Sequence, residues 1–328
     1  MSQMLKSSGA LGLATLVSRL LGLVREQVYA AFMGTSAVAD AFQMAFTIPN
    51  LFRRLLGEGA LTAAFIPIFK SKEKLEGEEA MWRSANAVLS GLVVSAAAVI
   101  GAALILITLA LSTLSLGENT RLMLQLLRCM FPYMLLVCLA AAFIGMLNAR
   151  GHFFVPALGA AMLNVVMIAS VLLLAPRMGD RLESQIFGLA IGVLVAGLAQ
   201  AGFQWPTLRR EGYRYRWVRP WPNETVREVV RKMLPASVGV AAFQINVVLT
   251  QVLAFSSQES IVASFQYAVR LMEFPQGIFG ISLATYLLPA LSGLAAEKRY
   301  PEFRTTLREG LGYLVLANAL AAGLLASL

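Results

Sequence analysis

Residues 84–114 read SANAVLSGLVVSAAAVIGAALILITLALSTL, thirty-one positions without a charged side chain. As an α-helix this stretch is ~46 Å long, against a bilayer hydrocarbon core of ~30 Å. It is rich in alanine and leucine and shows no period-two alternation, which argues against the strand of a membrane barrel. The reading is a membrane-spanning helix. The composition agrees: 58% of the chain is hydrophobic, 14% is charged and the mean hydropathy is +0.70. Soluble domains run at about 45–50% apolar and about 25% charged. Outward from this stretch, apolar segments recur at roughly 9–32, 37–69, 122–148, 154–175, 184–206, 234–255, 260–291 and 311–328. The fold class is therefore all-α and integral to a membrane, a polytopic helix bundle of nine spans. The first segment is too long for a signal peptide, is interrupted by Arg19 and Arg25, and has no small-residue cleavage site. The last segment runs to Leu328, so further helices are expected beyond it.

The formal net charge of +9 admits nucleic acid or a membrane surface as partner. Its placement decides. With a cytoplasmic N-terminus, eighteen Lys and Arg residues fall in the inner loops and three (Arg121, Arg177 and Arg181) in the outer ones. This bias sets the orientation, and it spreads the charge over alternate loops without a single nucleic-acid patch. The longest loop, 207–233, mixes arginine with Tyr213, Tyr215, Trp217 and Trp221. It reads as an interfacial segment with aromatics at headgroup depth and arginine near anionic lipid. Residues 223–233 are expected to form a short interfacial helix capped by Asn223.

No enzyme motif is present. The one histidine, His152, lies in a short loop, and no HExxH, GxSxG or P-loop pattern occurs. Cys129 and Cys138 have no disulfide or metal spacing and read as packing residues. No catalytic residue, resident metal or cofactor is expected; a coupling cation is left open.

Chemistry resides in charges inside the spans: Arg19, Arg25, Glu26, Asp40, Arg53, Arg54, Glu58, Arg128, Arg270 and Glu273. An arginine at bilayer centre costs about 2.5–3.5 kcal/mol on insertion scales. Six arginines against four acids leave +2 that internal pairing cannot neutralise, so an anionic ligand or a wet cavity is expected. Arg19, Arg25, Arg53, Arg54 and Arg270 lie at similar depth. Their planar guanidinium forks suit a pyrophosphate. Glu26, seven residues from Arg19 and on the same face, and Asp40 read as carboxylates that hold these arginines when the site is empty; Glu273 is a further partner. Arg128 reads as snorkelling to the outer surface. Pro49 and Pro275 predict bends. A weak repeat at an offset of 223 places Phe42, Gln43, Ala45, Gly57 and Thr62 on Phe265, Gln266, Ala268, Gly280 and Thr285.

The stretch Ser18-Arg19-Leu-Leu-Gly22-Leu-Val-Arg25-Glu26, then Asp40-Ala-Phe, then Ile48-Pro49-Asn50-Leu-Phe-Arg53-Arg54 and Glu58-Gly59-Ala60, resembles the MurJ (MviN) family. So does Arg270-Leu-Met-Glu273-Phe-Pro275-Gln-Gly277, with Leu287-Leu288-Pro289 after it. These are lipid II flippases of the multidrug/oligosaccharidyl-lipid/polysaccharide exporter superfamily. The resemblance implies fourteen helices in two six-helix lobes around a central cavity. It implies flipping of a lipid-linked peptidoglycan precursor from the cytoplasmic to the outer leaflet of the bacterial inner membrane. Arg19, Arg25, Arg53, Arg54 and Arg270 match the family's functional arginines, and Glu26 and Asp40 its acidic partners. On this plan residues 1–206 form the first lobe, 207–233 the basic aromatic loop, and 234–328 three helices of an incomplete second lobe. A monomer is expected, with lipid II or a related polyprenyl-pyrophosphate lipid as partner. Members with a sodium site carry an acidic residue in the seventh helix; here Gln244-Ile-Asn246-Val-Val-Leu-Thr250 does not supply it. The alternatives are export of another polyprenyl-pyrophosphate oligosaccharide or of a cationic drug, which a cationic cavity disfavours, and a non-transporting membrane scaffold.

Overall fold

The computed structural model describes residues 2–52, 61–257, 260–275, 283, 287, 291, 294, 295 and 297–327. Among these the regular structure is helical, with no strand. The helices are α1 (Ser2–Met33), α2 (Ala37–Phe52), α3 (Leu61–Glu76), α4 (Glu78–Thr113), α5 (Glu118–Met130), α6 (Tyr133–Ala149), α7 (Phe154–Ala169), α8 (Leu182–Arg210), α9 (Glu224–Ser257), α10 (Ile261–Pro275) and α11 (Tyr300–Ala326). Packing divides the chain into residues 1–263 and residues 264–328.

Large apolar side chains stay uncovered along several helices. Leu253 on α9 is 68% exposed and so is Leu320 on α11, and Ile105, Leu106 and Leu109 project from α4. Rows of this kind are untenable in water and normal against lipid. Among the described residues α4, α8 and α7 with its continuation are each long and apolar enough to span a membrane alone. The segment 122–148 is a bent pair: α5 and α6 meet at 44°, where Pro132 withholds a backbone donor. Pro49 lies inside α2, which continues through it to Phe52. The stretch 223–233 runs without a break into the next apolar segment, so it forms the first turns of α9 rather than a separate helix.

Two helices end in the same way at the end of the bundle that carries the basic loops. After α6, Gly151 takes φ 84° and His152 N–H donates to Leu147 O. After α8, Gly212 takes φ 84° and Tyr213 N–H donates to Leu208 O. A left-handed residue followed by a 6→1 hydrogen bond closes the helix and turns the chain sharply. Beneath these turns runs a chain of rings: Phe65, Phe69, Trp82, Tyr213, Trp205 and Phe143, at successive centroid distances of 5.1, 5.4, 5.3, 5.8 and 5.8 Å. It ties α3, α4, α8 and α6 into one core. A second row, Tyr29, Phe42, Phe46 and Tyr133, joins α1, α2 and α6. Close approach of α8 to the turn after α7 depends on Gly188: a Cβ there would stand 2.9 Å from the Ala175 backbone.

Candidate functional site

Arg25 sits on α1 between Glu26 and Tyr29. Its Nη2 donates to Glu26 Oε1 at 2.5 Å, and the guanidinium lies 5.5 Å from the Tyr29 ring centroid. The two charged side chains are 11% and 13% exposed. Arg25 Nε is buried and makes no hydrogen bond among the described residues. The geometry therefore holds a desolvated cation with one carboxylate, one aromatic face and one unspent donor.

The i, i+7 spacing sets Glu26 on the same face as Arg19 and makes it a partner of the arginines; the pair seen here is with Arg25. Adjacent helix residues do not face each other, but two long side chains can curl into one space. Arg19 is half-buried, and the ion pair seen on this helix among the described residues is that of Arg25 with Glu26. Its turn is fixed from outside. Asn164 of α7, which is buried, donates Nδ2–H to Ser18 O at 3.0 Å. Gly22, one turn on, faces the same amide: an added Cβ would lie in ordinary contact, 3.7 Å from Asn164 Nδ2. Sequence reading passed over Asn164, although a lone amide in the apolar run 154–175 was the signal.

Asp40, 1% exposed, lies in the first turn of α2. Its Oδ1 accepts the N–H of Ala263 at 2.7 Å, in the first turn of α10. The carboxylate thus caps a helix 223 residues away, an arrangement favoured by the unpaired amides and the positive end of the helix dipole. The sequence reading sets Asp40 with the arginines; the cap on α10 is an additional role that only the folded chain makes visible. Arg270 and Glu273 pair at 2.7 Å along α10, both part-exposed. Arg53, Arg54 and Glu58 lie outside the described residues. Arg128 ends α5, exposed, and lines a cavity of about 330 Å³ with Gln125, Cys129 and Phe187. Cys138 is buried and both cysteines are free. Among the described residues no cluster suits a metal.

A second charged cluster closes the basic end. Arg150 donates through Nε to Glu211 Oε2 at 2.7 Å and through Nη1 to Glu73, and its Nη2 lies 3.6 Å from Glu78 Oε1. His152 Nε2 is 2.8 Å from Glu211 Oε1. Hydrogen bonds from His152 and Arg150 hold the Glu211 carboxyl below the usual carboxylate range. Lys70 and then Arg150 do the same for Glu73. Three loops distant in sequence are clasped on one guanidinium. Arg150→Ala is expected to lower stability by about 1–3 kcal/mol, since it removes charge-assisted hydrogen bonds from part-buried carboxylates. Both carboxyls are depressed, so their contribution is complete above the unfolded-state value of about 4.3 and fades as pH falls through the lower folded value. Thermal unfolding of wild type and variant should therefore differ at pH 7 and converge as the pH falls below the usual carboxylate range.

The sequence profile of the family described as "Lipid II flippase MurJ" matches residues 29–328. A "Probable lipid II flippase MurJ" of Treponema pallidum is 36% identical over 326 residues, covering 93% of this chain and 59% of the relative. The "Lipid II flippase MurJ" of Burkholderia cenocepacia is 33% identical over 317 residues, covering 94% and 61%. Among solved structures, a "Lipid II flippase MurJ, inward closed conformation" superposes with a TM-score of 0.74 at 23% identity, covering 94% of this chain and 62% of that one. An inward-facing multidrug resistance MATE family transporter of the MOP superfamily gives 0.67 at 16% identity, covering 90% and 66%. The chain spans about three fifths of the length of the curated relatives it matches. These matches, over a chain with a helical membrane fold, settle the family: the chain belongs to the lipid II flippase MurJ family.

Proposed function

We propose that this chain serves the flipping of lipid II, a lipid-linked peptidoglycan precursor, from the cytoplasmic to the outer leaflet of the bacterial inner membrane. Its N-terminus and basic loops face the cytoplasm, following the eighteen-to-three distribution of basic residues. The observation that carries the reading is Arg25, held nearly dry with its Nε unsatisfied. A pyrophosphate supplies acceptor oxygens in a planar arrangement that a guanidinium matches. Glu26 is the resident anion; an arriving diphosphate competes with it, so the cation is neither bare nor locked when the site is empty. Arg19, Arg53, Arg54 and Arg270 complete the cationic set in this reading.

Alternating access requires contacts that exist on one side of the membrane in one state and break in the other. The Asp40–Ala263 hydrogen bond is of that kind. With the N-terminus inside, it lies at the extracytoplasmic ends of α2 and α10, and in this reading it forms when that side closes and breaks when it opens. The arginine reading is tested by native mass spectrometry of the detergent-solubilised protein with lipid II and with undecaprenyl monophosphate. Retention of the diphosphate lipid at least tenfold stronger is expected. Equal retention of the two would overturn it, and a polyprenyl diphosphate bearing another sugar that outcompetes lipid II would reassign the headgroup.

A further inference from the structure

We propose that residues 214–221, strapped across α4, form a docking site for the anionic headgroups of cytoplasmic-leaflet glycerophospholipids. The site is separate from the intramembrane arginines and independent of the identity of the transported lipid.

The strap is built, not merely tethered. Tyr213 is fully buried between Trp82 and Trp205 and anchors one end. Asn86 Nδ2 donates to Arg214 O at 3.1 Å. Ser90 Oγ lies 3.1 Å from Tyr215 Oη and accepts the N–H of Val218 at 3.3 Å. Pro220 is buried against Gly91, where an added Cβ would lie 3.5 Å from the proline Cβ. Asn223 Oδ1 accepts Val226 N–H at 3.2 Å and starts α9 at the other end. Asn86 and Ser90 are one turn apart on the same face of α4, so the strap follows that face with its backbone fixed.

What the strap presents outward is basic and aromatic. Arg214, Arg216 and Arg219 are exposed, and Trp217 and Trp221 are 60% and 50% exposed. From Arg209 to Lys232 there are eight basic residues against three acids. Two of those acids are engaged, Glu211 with Arg150 and Glu228 with Lys232. Depth distinguishes a lipid partner from RNA. The exposed apolar surface of α4 begins at Val94, one turn beyond the strap's crossing at Gly91. The arginines and indoles therefore stand where hydrocarbon gives way to headgroups, the level that tryptophan and arginine favour. Because the backbone is already ordered, binding loses little conformational entropy.

The test uses the purified protein in neutral detergent with phosphatidylglycerol or phosphatidylcholine added. Phosphatidylglycerol should raise the unfolding temperature, phosphatidylcholine should not, and the combined variant R214Q/R216Q/R219Q should need at least tenfold more phosphatidylglycerol for the same shift. An unchanged response in the variant, or equal shifts from both lipids, would overturn the proposal. Should the variant fail to fold, the wild type decides. Brominated phosphatidylglycerol should quench its tryptophan emission more than brominated phosphatidylcholine, and equal quenching counts against the site. Tight binding of a single-stranded RNA at physiological salt, with no phosphatidylglycerol effect, would hand the strap to the other polyanion and equally end the proposal.

Discussion

Arg25→Ala is expected to weaken lipid II binding at least tenfold and to abolish flipping, with the protein still inserted in the membrane. The guanidinium supplies charge-assisted hydrogen bonds worth about 1.5–3 kcal/mol each, and 1.4 kcal/mol is a factor of ten in affinity. Arg25→Lys keeps the charge and discards the planar fork, so it should fall between wild type and alanine. A structural ion pair makes a different forecast. If Arg25 served only to neutralise Glu26, the double variant Arg25→Ala/Glu26→Gln would recover what the single variant lost. On the proposed reading it recovers insertion and thermal stability but not ligand binding. Binding measured by native mass spectrometry and stability measured by thermal unfolding separate the two. A double variant with wild-type binding would end the role assigned to Arg25.

The second large effect belongs to Asp40. Asp40→Ala removes the acceptor for Ala263 N–H in a buried place, and a stranded donor costs about 1–3 kcal/mol. The expected result is loss of flipping together with opening of the extracytoplasmic side. Val38, buried in the same turn of α2, reports on it. In a background with Cys129 and Cys138 replaced, a cysteine at Val38 should react with a membrane-impermeant thiol reagent several-fold faster in Asp40→Ala. Asp40→Asn keeps an oxygen that can accept and should be the milder change. Unaltered labelling in Asp40→Ala would show that the capping contact does not hold that side shut.

Much of the fold was legible because lipid leaves a simple signature. The uncharged stretch 84–114 and α4 end within one residue of each other. They begin six residues apart because Glu78, Glu79 and Arg83 bring charge into a stretch that is nonetheless helix-forming, with Arg83 reaching back to Glu79 at i−4. Hydropathy sees the first property and not the second. The break at Pro132 was hidden inside an apolar run, although proline was there to read. The site was legible in its residue types and less so in its pairings. Arg25 stood out because an arginine in lipid is expensive. Glu26 was legible as a partner of the arginines, but which guanidinium it meets was not, because helix spacing says which Cβ atoms are neighbours and not where seven-atom side chains end. The Arg150 clasp could not be seen at all: its carboxylates come from residues 73, 78 and 211, brought together by the turns at Gly77, Gly151 and Gly212.

The thirty-six residues of α4 give it a length of ~54 Å, well beyond the ~30 Å that hydrocarbon can cover. One half is glued into the ring-stacked core and the other projects bare leucine and isoleucine. A helix anchored at one end and oversized for its solvent adapts to the mismatch by leaning. Thickness therefore becomes a mechanical input. A thicker bilayer is expected to draw α4 toward the normal and a thinner one to let it lean further, about the crossing at Asn86 and Ser90. Acyl-chain length would thus reach the polar crossover between α8 and α9 without any lipid binding there.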